Sequence, residues 1–289
     1  MNPDNLLKEF VTHLAGKGRS ESTVIAYNKD IKQLFEYLKS NEPGFDISKL
    51  NTSQLEKYVQ TITNSGDYTL KTVSRKINSL KTFCKYLVER KLIVSDVSKP
   101  IAHPEYSPQL PRTLSALEYR ALRDTARSNI RLFTMVELLL QTGLRIGELS
   151  RLKVKHFEQK QNILLIEAFS SNKERKVDLN EVAIAALKTY LAEFPATETE
   201  SYLFQTRSGK PVLIRNIRTA VHRAFRKAGI KSATVNDIRN TFIVFQLENG
   251  IKISRLAEIV GHQKPTTTEK YLQLVEKRPK KFTLRIDPL

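Results

Sequence analysis

Tyr271 follows His262 by nine residues, in Gly261-His-Gln-Lys-Pro-Thr-Thr-Thr-Glu-Lys-Tyr271. A phenol held about one turn into a helix, near an imidazole, is what a tyrosine nucleophile needs. Taken alone, that tyrosine reads as well as a buried core residue. Two arginines stand in separate clusters. Arg145 comes just after Gly143 in Thr142-Gly-Leu-Arg-Ile-Gly-Glu148, where a strongly apolar helix must stop. An arginine placed there is rigidly held yet can face a cleft, and its planar fork suits two-point contact with phosphate oxygens. Arg239 lies in Asn236-Asp-Ile-Arg-Asn-Thr-Phe242, one turn after Asn236, so on a helix both side chains point the same way. Glu148 is placed to orient or neutralise basic groups. Lys173 falls in a polar turn that can reach into a groove. Each cation alone reads as a surface charge; the set points to chemistry on phosphate. An unperturbed tyrosine has a pKa of about 10, so roughly one in a thousand is phenolate at pH 7. Clustered cations are expected to lower that barrier and to stabilise the extra charge on a pentavalent phosphorus.

The elements that must position these groups follow from periodicity and punctuation. Ile253–Val260 is an apolar helix closed by Gly261 and His262. Thr266, with Glu269 three places on, predicts a capping box for a last helix over about 267–275, with Tyr271 inside it. Residues 130–142 are apolar nearly all round and should be central to a core. Residues 163–168 and 175–179 read as two strands of a hairpin across the polar turn holding Lys173, with a short third strand at 202–204. Ser115 and Glu118 predict a capping box, and further helices fall at 181–193, 214–228 and 235–249. Upstream, four helices are predicted over 3–16, from Ser20 through Leu38, from a Ser53–Glu56 capping box to about Ile62, and over 69–90. Short polar loops join them into a compact bundle. Lys71, Arg75, Lys76, Lys81 and Lys85 lie on its exposed faces, either solvated or in contact with phosphates. Prolines at 100, 104, 108 and 111 favour an extended chain. The expected organisation is a bundle over 1–98, a linker over 99–112 and a second domain over 113–289.

Bulk properties agree with a polyanion as partner. Forty-eight Lys and Arg against 30 Asp and Glu leave +18 over 289 residues, with most of the excess after residue 104. Nucleic acid is the commonest target of such a surface. Hydrophobic residues make up 40%, and no run is long and apolar enough for a membrane span or a secretory signal. The single cysteine, Cys84, sits on an apolar helix face and fits a reducing cytoplasm. No Cys/His cluster has zinc spacing and no phosphate loop is present, so neither a metal nor a nucleotide cofactor is expected.

Thr142-Gly-Leu-Arg145-Ile-Gly-Glu-Leu149, Asp237-Ile-Arg239-Asn-Thr-Phe242, Ile259-Val-Gly-His262 and Tyr271, in this order and spacing, closely resemble the tyrosine recombinase (phage integrase) family over residues 113–275. The N-terminal bundle resembles that family's SAM-like core-binding domain. The resemblance implies a mainly α fold with a small β-sheet, the bundle being followed by an α+β catalytic domain and the two clamping double-stranded DNA as a C. It implies that Tyr271 forms a 3′-phosphotyrosyl bond and frees a 5′-hydroxyl. It further implies that Arg145 and Arg239 hold the nonbridging oxygens, that His262 donates to the same phosphate, and that Lys173 protonates the leaving 5′-oxygen. A homotetramer on paired sites would then exchange strands in integration, excision or resolution of DNA elements. The family usually has histidine where this chain has Asn236, and an amide takes no proton. General-base help for Tyr271 must then come from elsewhere, His262 or water, or be weaker. The family's turn often reads Gly-Lys-Gly before Asn-Lys-Glu-Arg; here Ser170 holds the usual lysine position. That leaves Lys173 as the acid by reach along the hairpin, with Lys176 as the alternative. A catalytically impaired DNA-binding protein of the same fold and a type IB topoisomerase are the competing readings. In this family the C-terminal tail often docks on a neighbouring protomer, for which Phe282, Leu284 and Ile286 supply apolar contacts.

Overall fold

The computed structural model describes residues 3–276 except 43, 108, 170, 171, 196 and 197; Ser170 and the tail residues Phe282, Leu284 and Ile286 lie outside the described residues. The chain falls into two compact units, residues 1–108 and 109–289.

The first unit holds α1 (Pro3–Gly16), α2 (Glu21–Asn41), α3 (Thr52–Asn64) and α4 (Leu70–Glu89). Ser20 and Thr69 cap α2 and α4 by accepting the backbone N–H three residues on, which satisfies one of the helix's orphan donors. The capping box of α3 forms two residues earlier than expected, between Asn51 and Gln54 at 3.1 and 2.9 Å. Those two amides can serve both arms of the box, and Ser53 and Glu56 are left inside the helix. Leu6, Phe10, Ile31, Leu34, Leu55, Ile77, Phe83 and Cys84 build the core. Burial pushes the Cys84 thiol up to about 12, so it stays an inert thiol. Ile101, in the proline-rich stretch, packs into the same core. Lys76 is not on an exposed face. It is 4% exposed, with its ammonium 3.0 Å from Asp30 and 4.6 Å from the centre of the Tyr68 ring. A carboxylate buried as deeply as Asp30 demands cations, and Lys76 and Arg75 supply them.

The second unit runs α5 (Ala116–Ala126), α6 (Ile130–Thr142), α7 (Ile146–Arg151), β1 (Phe157–Glu158), β2 (Ile163–Ile166), β3 (Arg175–Asp178), α8 (Glu181–Glu193), α9 (Ile214–Lys227), α10 (Val235–Glu248), α11 (Ile253–Val260), α12 (Thr266–Glu269) and α13 (Leu272–Glu276). The Ser115–Glu118 capping box forms at α5. Helix α6 is central and packs against α5, α8, α9 and α10, as a helix without a polar face requires. The sheet is antiparallel in the order β1-β2-β3, with Ile163 opposite Asp178 and Ile166 opposite Arg175. Phe169 and Asn172 exchange two 3.0 Å hydrogen bonds beyond the ends of β2 and β3.

Two expectations change. The third strand is Phe157–Glu158, not 202–204. Leu203 and Phe204 are buried in the main core, and the Leu203 N–H goes to the Leu152 carbonyl at 2.7 Å, so that stretch is anchored away from the sheet edge. The last helix is also broken, with Tyr271 in a turn between α12 and α13 and no side-chain cap at Pro265 or capping box at Thr266. Proline brings no N–H to this start, and three consecutive threonines are stiff at χ1 and weak in a helix. Helices α10 and α11 enclose a separate small core of Phe242, Ile243, Leu247, Leu256 and Val260, against which Tyr271, Leu272 and Val275 pack.

Candidate active site at the carboxyl end of α11

Helix α6 ends at Gly143 in the left-handed conformation, φ +62, where a Cβ would run into the Phe242 ring; only glycine fits. The chain turns there and Arg145 opens α7. Glu148, 5% exposed, accepts the Arg145 backbone N–H at 2.8 Å and its Nη1 at 3.0 Å. From β3, Arg175 grips the same carboxylate with two hydrogen bonds of 2.9 and 2.8 Å. Burial pushes Glu148 up, but the hydrogen bonds and charge of Arg175, with Arg145, more than offset it and leave the carboxyl below its usual range.

Helix α11 ends at Gly261, also left-handed at φ +67. The last carbonyls of a helix have no partner within it and carry the negative end of its dipole. Arginines take them. Arg175 Nε donates to the Ile259 carbonyl at 2.7 Å. Arg239 Nη2 donates to that of Val260 at 2.6 Å. Arg145 donates to Val260 at 3.2 Å and to Gly261 at 2.7 Å. Arg239 also donates to the Gly143 carbonyl, so both motif arginines and both helix ends form one cluster. A Cβ on Gly261 would lie 2.9 Å from Arg175 Nη1 and 3.2 Å from Arg145 Nη1. The Arg145 side chain keeps 32% of its surface open, while Arg239 is 7% exposed. Burial and the like charge of Arg145 lower the Arg239 guanidinium to about 9, still charged at neutral pH.

The next residue, His262, has Nδ1 2.8 Å from the Thr268 hydroxyl. Its ring stacks on that of Tyr271, with centroids 6.4 Å apart and planes 15° from parallel. Burial, then the charges of Arg239, Arg145 and Arg175, lowers His262 to about 4, so the imidazole is neutral near pH 7. Tyr271 donates its hydroxyl to Asn240 Oδ1 at 2.8 Å. Asn240 is itself oriented by donating to the Arg112 carbonyl at 3.0 Å and to Asp237 at 3.3 Å. The expected lowering of the phenol is not found in the free protein. Burial raises Tyr271 by more than Arg239 lowers it, and Asp237 adds to the rise.

Arg145, Arg239, His262 and Tyr271 thus come together around the end of α11. Asn236 does not share the burial of Arg239; it is exposed on the first turn of α10, and among the described residues no hydrogen bond joins it to Tyr271. Lys173 is exposed just past the hairpin turn. Lys176 is exposed on β3, 3.8 Å from Glu158. Three contributors escape the sequence reading: Arg175, Asn240 and Thr268. For Arg175 a signal existed, since it shares the inward face of β3 with buried Val177 at the two-residue period of a strand. Among the described residues no cluster of His, Cys, Asp and Glu is arranged to hold a metal ion, and no helix is long and apolar enough to cross a membrane.

The model of the phage integrase family matches residues 110–278, and that of the phage integrase N-terminal SAM-like domain matches residues 7–91. Tyrosine recombinase XerC of Leptospira interrogans is 27% identical, over 97% of this chain and 92% of its own. Tyrosine recombinase XerD of Staphylococcus saprophyticus is 27% identical, over 99% of both chains. The crystal structure of a lambda integrase dimer bound to a COC′ core site shares the fold, with a TM-score of 0.77 at 17% identity over 96% of this chain and 78% of that one.

Proposed function

The chain belongs to the phage integrase family and is a tyrosine-type site-specific recombinase that cleaves and rejoins DNA, and on that premise we propose that Tyr271 is its nucleophile. The phenol oxygen attacks the scissile phosphorus. The Oη–P bond forms as the P–O5′ bond breaks, leaving a 3′-phosphotyrosyl strand and a free 5′-hydroxyl. Arg145 and Arg239 hold the nonbridging oxygens and stabilise the charge that builds on phosphorus. His262 donates to the same phosphate. Lys173 gives its proton to the departing 5′-oxygen. The phenol proton leaves to water, because neither Asn236 nor Asn240 can accept a proton. After strand exchange a 5′-hydroxyl attacks the phosphotyrosine, restores the diester and releases Tyr271. No energy source beyond the covalent bond is required.

One observation carries this reading. Arg145 and Arg239 converge on the Val260 carbonyl, two residues before a histidine that stacks on Tyr271. The partner is double-stranded DNA, contacted by both the bundle over 1–98 and the catalytic domain over 113–289, with 99–112 as linker. The working assembly is a homotetramer on paired sites; the lambda integrase dimer on one core site supports two protomers per site. A nicked suicide substrate tests the chemistry. The intact protein is expected to yield a protein–DNA adduct that survives denaturant, and Tyr271→Phe none. An adduct of unchanged yield from Tyr271→Phe removes Tyr271 from the reaction.

A further inference from the structure

We propose that Thr268 is a positioning residue, whose hydroxyl donates to Nδ1 of His262 and holds the imidazole as the Nε2–H tautomer, set to give a hydrogen bond and not to take a proton. The proposal deepens, and rests on, the reading of His262 as a donor to the scissile phosphate.

Thr268 is 0% exposed, whereas its neighbours Thr266 and Thr267 are exposed. Its Oγ1 lies 2.8 Å from His262 Nδ1, and among the described residues this is the hydroxyl's one hydrogen bond. Two proton arrangements fit that distance. With the proton on Nδ1, the ring would donate and the threonine O–H would be left buried without an acceptor. With the proton on Nε2, the threonine donates into the Nδ1 lone pair and both groups are satisfied. Buried polar hydrogens rarely go unpaired, because the water they lose is not replaced. The second arrangement therefore holds.

The local backbone explains why this hydroxyl is available. A helical threonine commonly returns its O–H to the carbonyl four residues back. Here α12 begins only at Thr266, so no helical turn precedes Thr268, and among the described residues no hydrogen bond joins its hydroxyl to the Lys264 carbonyl. Thr268 is left to face the ring six residues earlier. With Nδ1 occupied, His262 is not the base for Tyr271. Its remaining function on phosphate is donation from Nε2. The partner of a histidine's second nitrogen fixes tautomer and orientation in the same way at metal sites, where losing it costs about 10- to 100-fold.

Ring ¹⁵N spectra of histidine-labelled protein, with single-turnover adduct formation on a suicide substrate, test the proposal. The unaltered protein is expected to show a pyrrole-type Nε2 and a pyridine-type Nδ1 for His262. Thr268→Val, which keeps the shape but not the donor, is expected to gain Nδ1–H and to form adduct about tenfold more slowly. Thr268→Ser is expected to keep both the tautomer and the rate. A pyridine-type Nε2 in the unaltered protein, or an unchanged tautomer in Thr268→Val, overturns the assignment; the first needs no variant to fold. The underlying reading fails separately: if His262→Ala forms adduct at the unaltered rate, the imidazole serves no phosphate, whatever Thr268 does to it.

Discussion

Asn240 accepts the Tyr271 hydroxyl, and an amide oxygen is a partner only for the neutral phenol. The resting Tyr271 phenol therefore keeps its proton, in line with its raised titration, and as the proposed nucleophile it must leave this acceptor to attack. A single hydrogen bond contributes about 0.5–1.5 kcal/mol net. Asn240→Ala is accordingly expected to speed single-turnover adduct formation about two- to tenfold; a slower reaction would mean that Asn240 aims the phenol and does not restrain it. Arg145, Arg239, His262 and Tyr271 were legible in the sequence because residue type and motif position both marked them. Asn240 and Thr268 were not, since their partners meet them only when the α12 turn folds back on α10 and α11. Lys76 was misread for a related reason: its burial depends on Asp30, which lies in another helix.

At the scale of elements, the end of α11 organises the site. Its carbonyls seat three guanidiniums that would otherwise repel one another, and Glu148 neutralises part of their charge. Gly261 is where the backbone meets them. Gly261→Ala is expected to lose about 1–2 kcal/mol from the left-handed backbone alone, and its Cβ would also displace Arg175 and Arg145. Adduct formation should fall further than the urea midpoint accounts for. A loss no larger than the stability loss would show that the arginines tolerate the shift. Both glycine helix ends, and most helix starts, were readable because caps are local chemistry. The third strand and the broken last helix were not. Two-residue strands leave no periodicity, and Pro265 with three threonines undercut the helix that a Thr266–Glu269 capping box had suggested.

For the whole molecule, charge is the property that reaches furthest. A net charge of +18 means that DNA binding releases many counterions. If six phosphates are neutralised, affinity should drop about a thousandfold between 50 and 200 mM salt. Binding titrations across that range check this; a flat response would place the charge away from the DNA. Fold class was readable at this scale, because a helical bundle and a mixed second unit each leave strong composition and spacing signals. How deeply the motif arginines are buried was not, because that depends on which surfaces meet.

Helix α13 buries no residue of its own, and with Tyr271 it leans on five buried side chains that stand apart from the main core. A segment so lightly tethered can detach at a fraction of the free energy needed to melt α6. Strand exchange obliges a bound nucleotide chain to be carried, surrendered and replaced. In the proposed reaction the tyrosine, riding on its own small raft, travels with that cargo while the arginine cluster behind it keeps its shape.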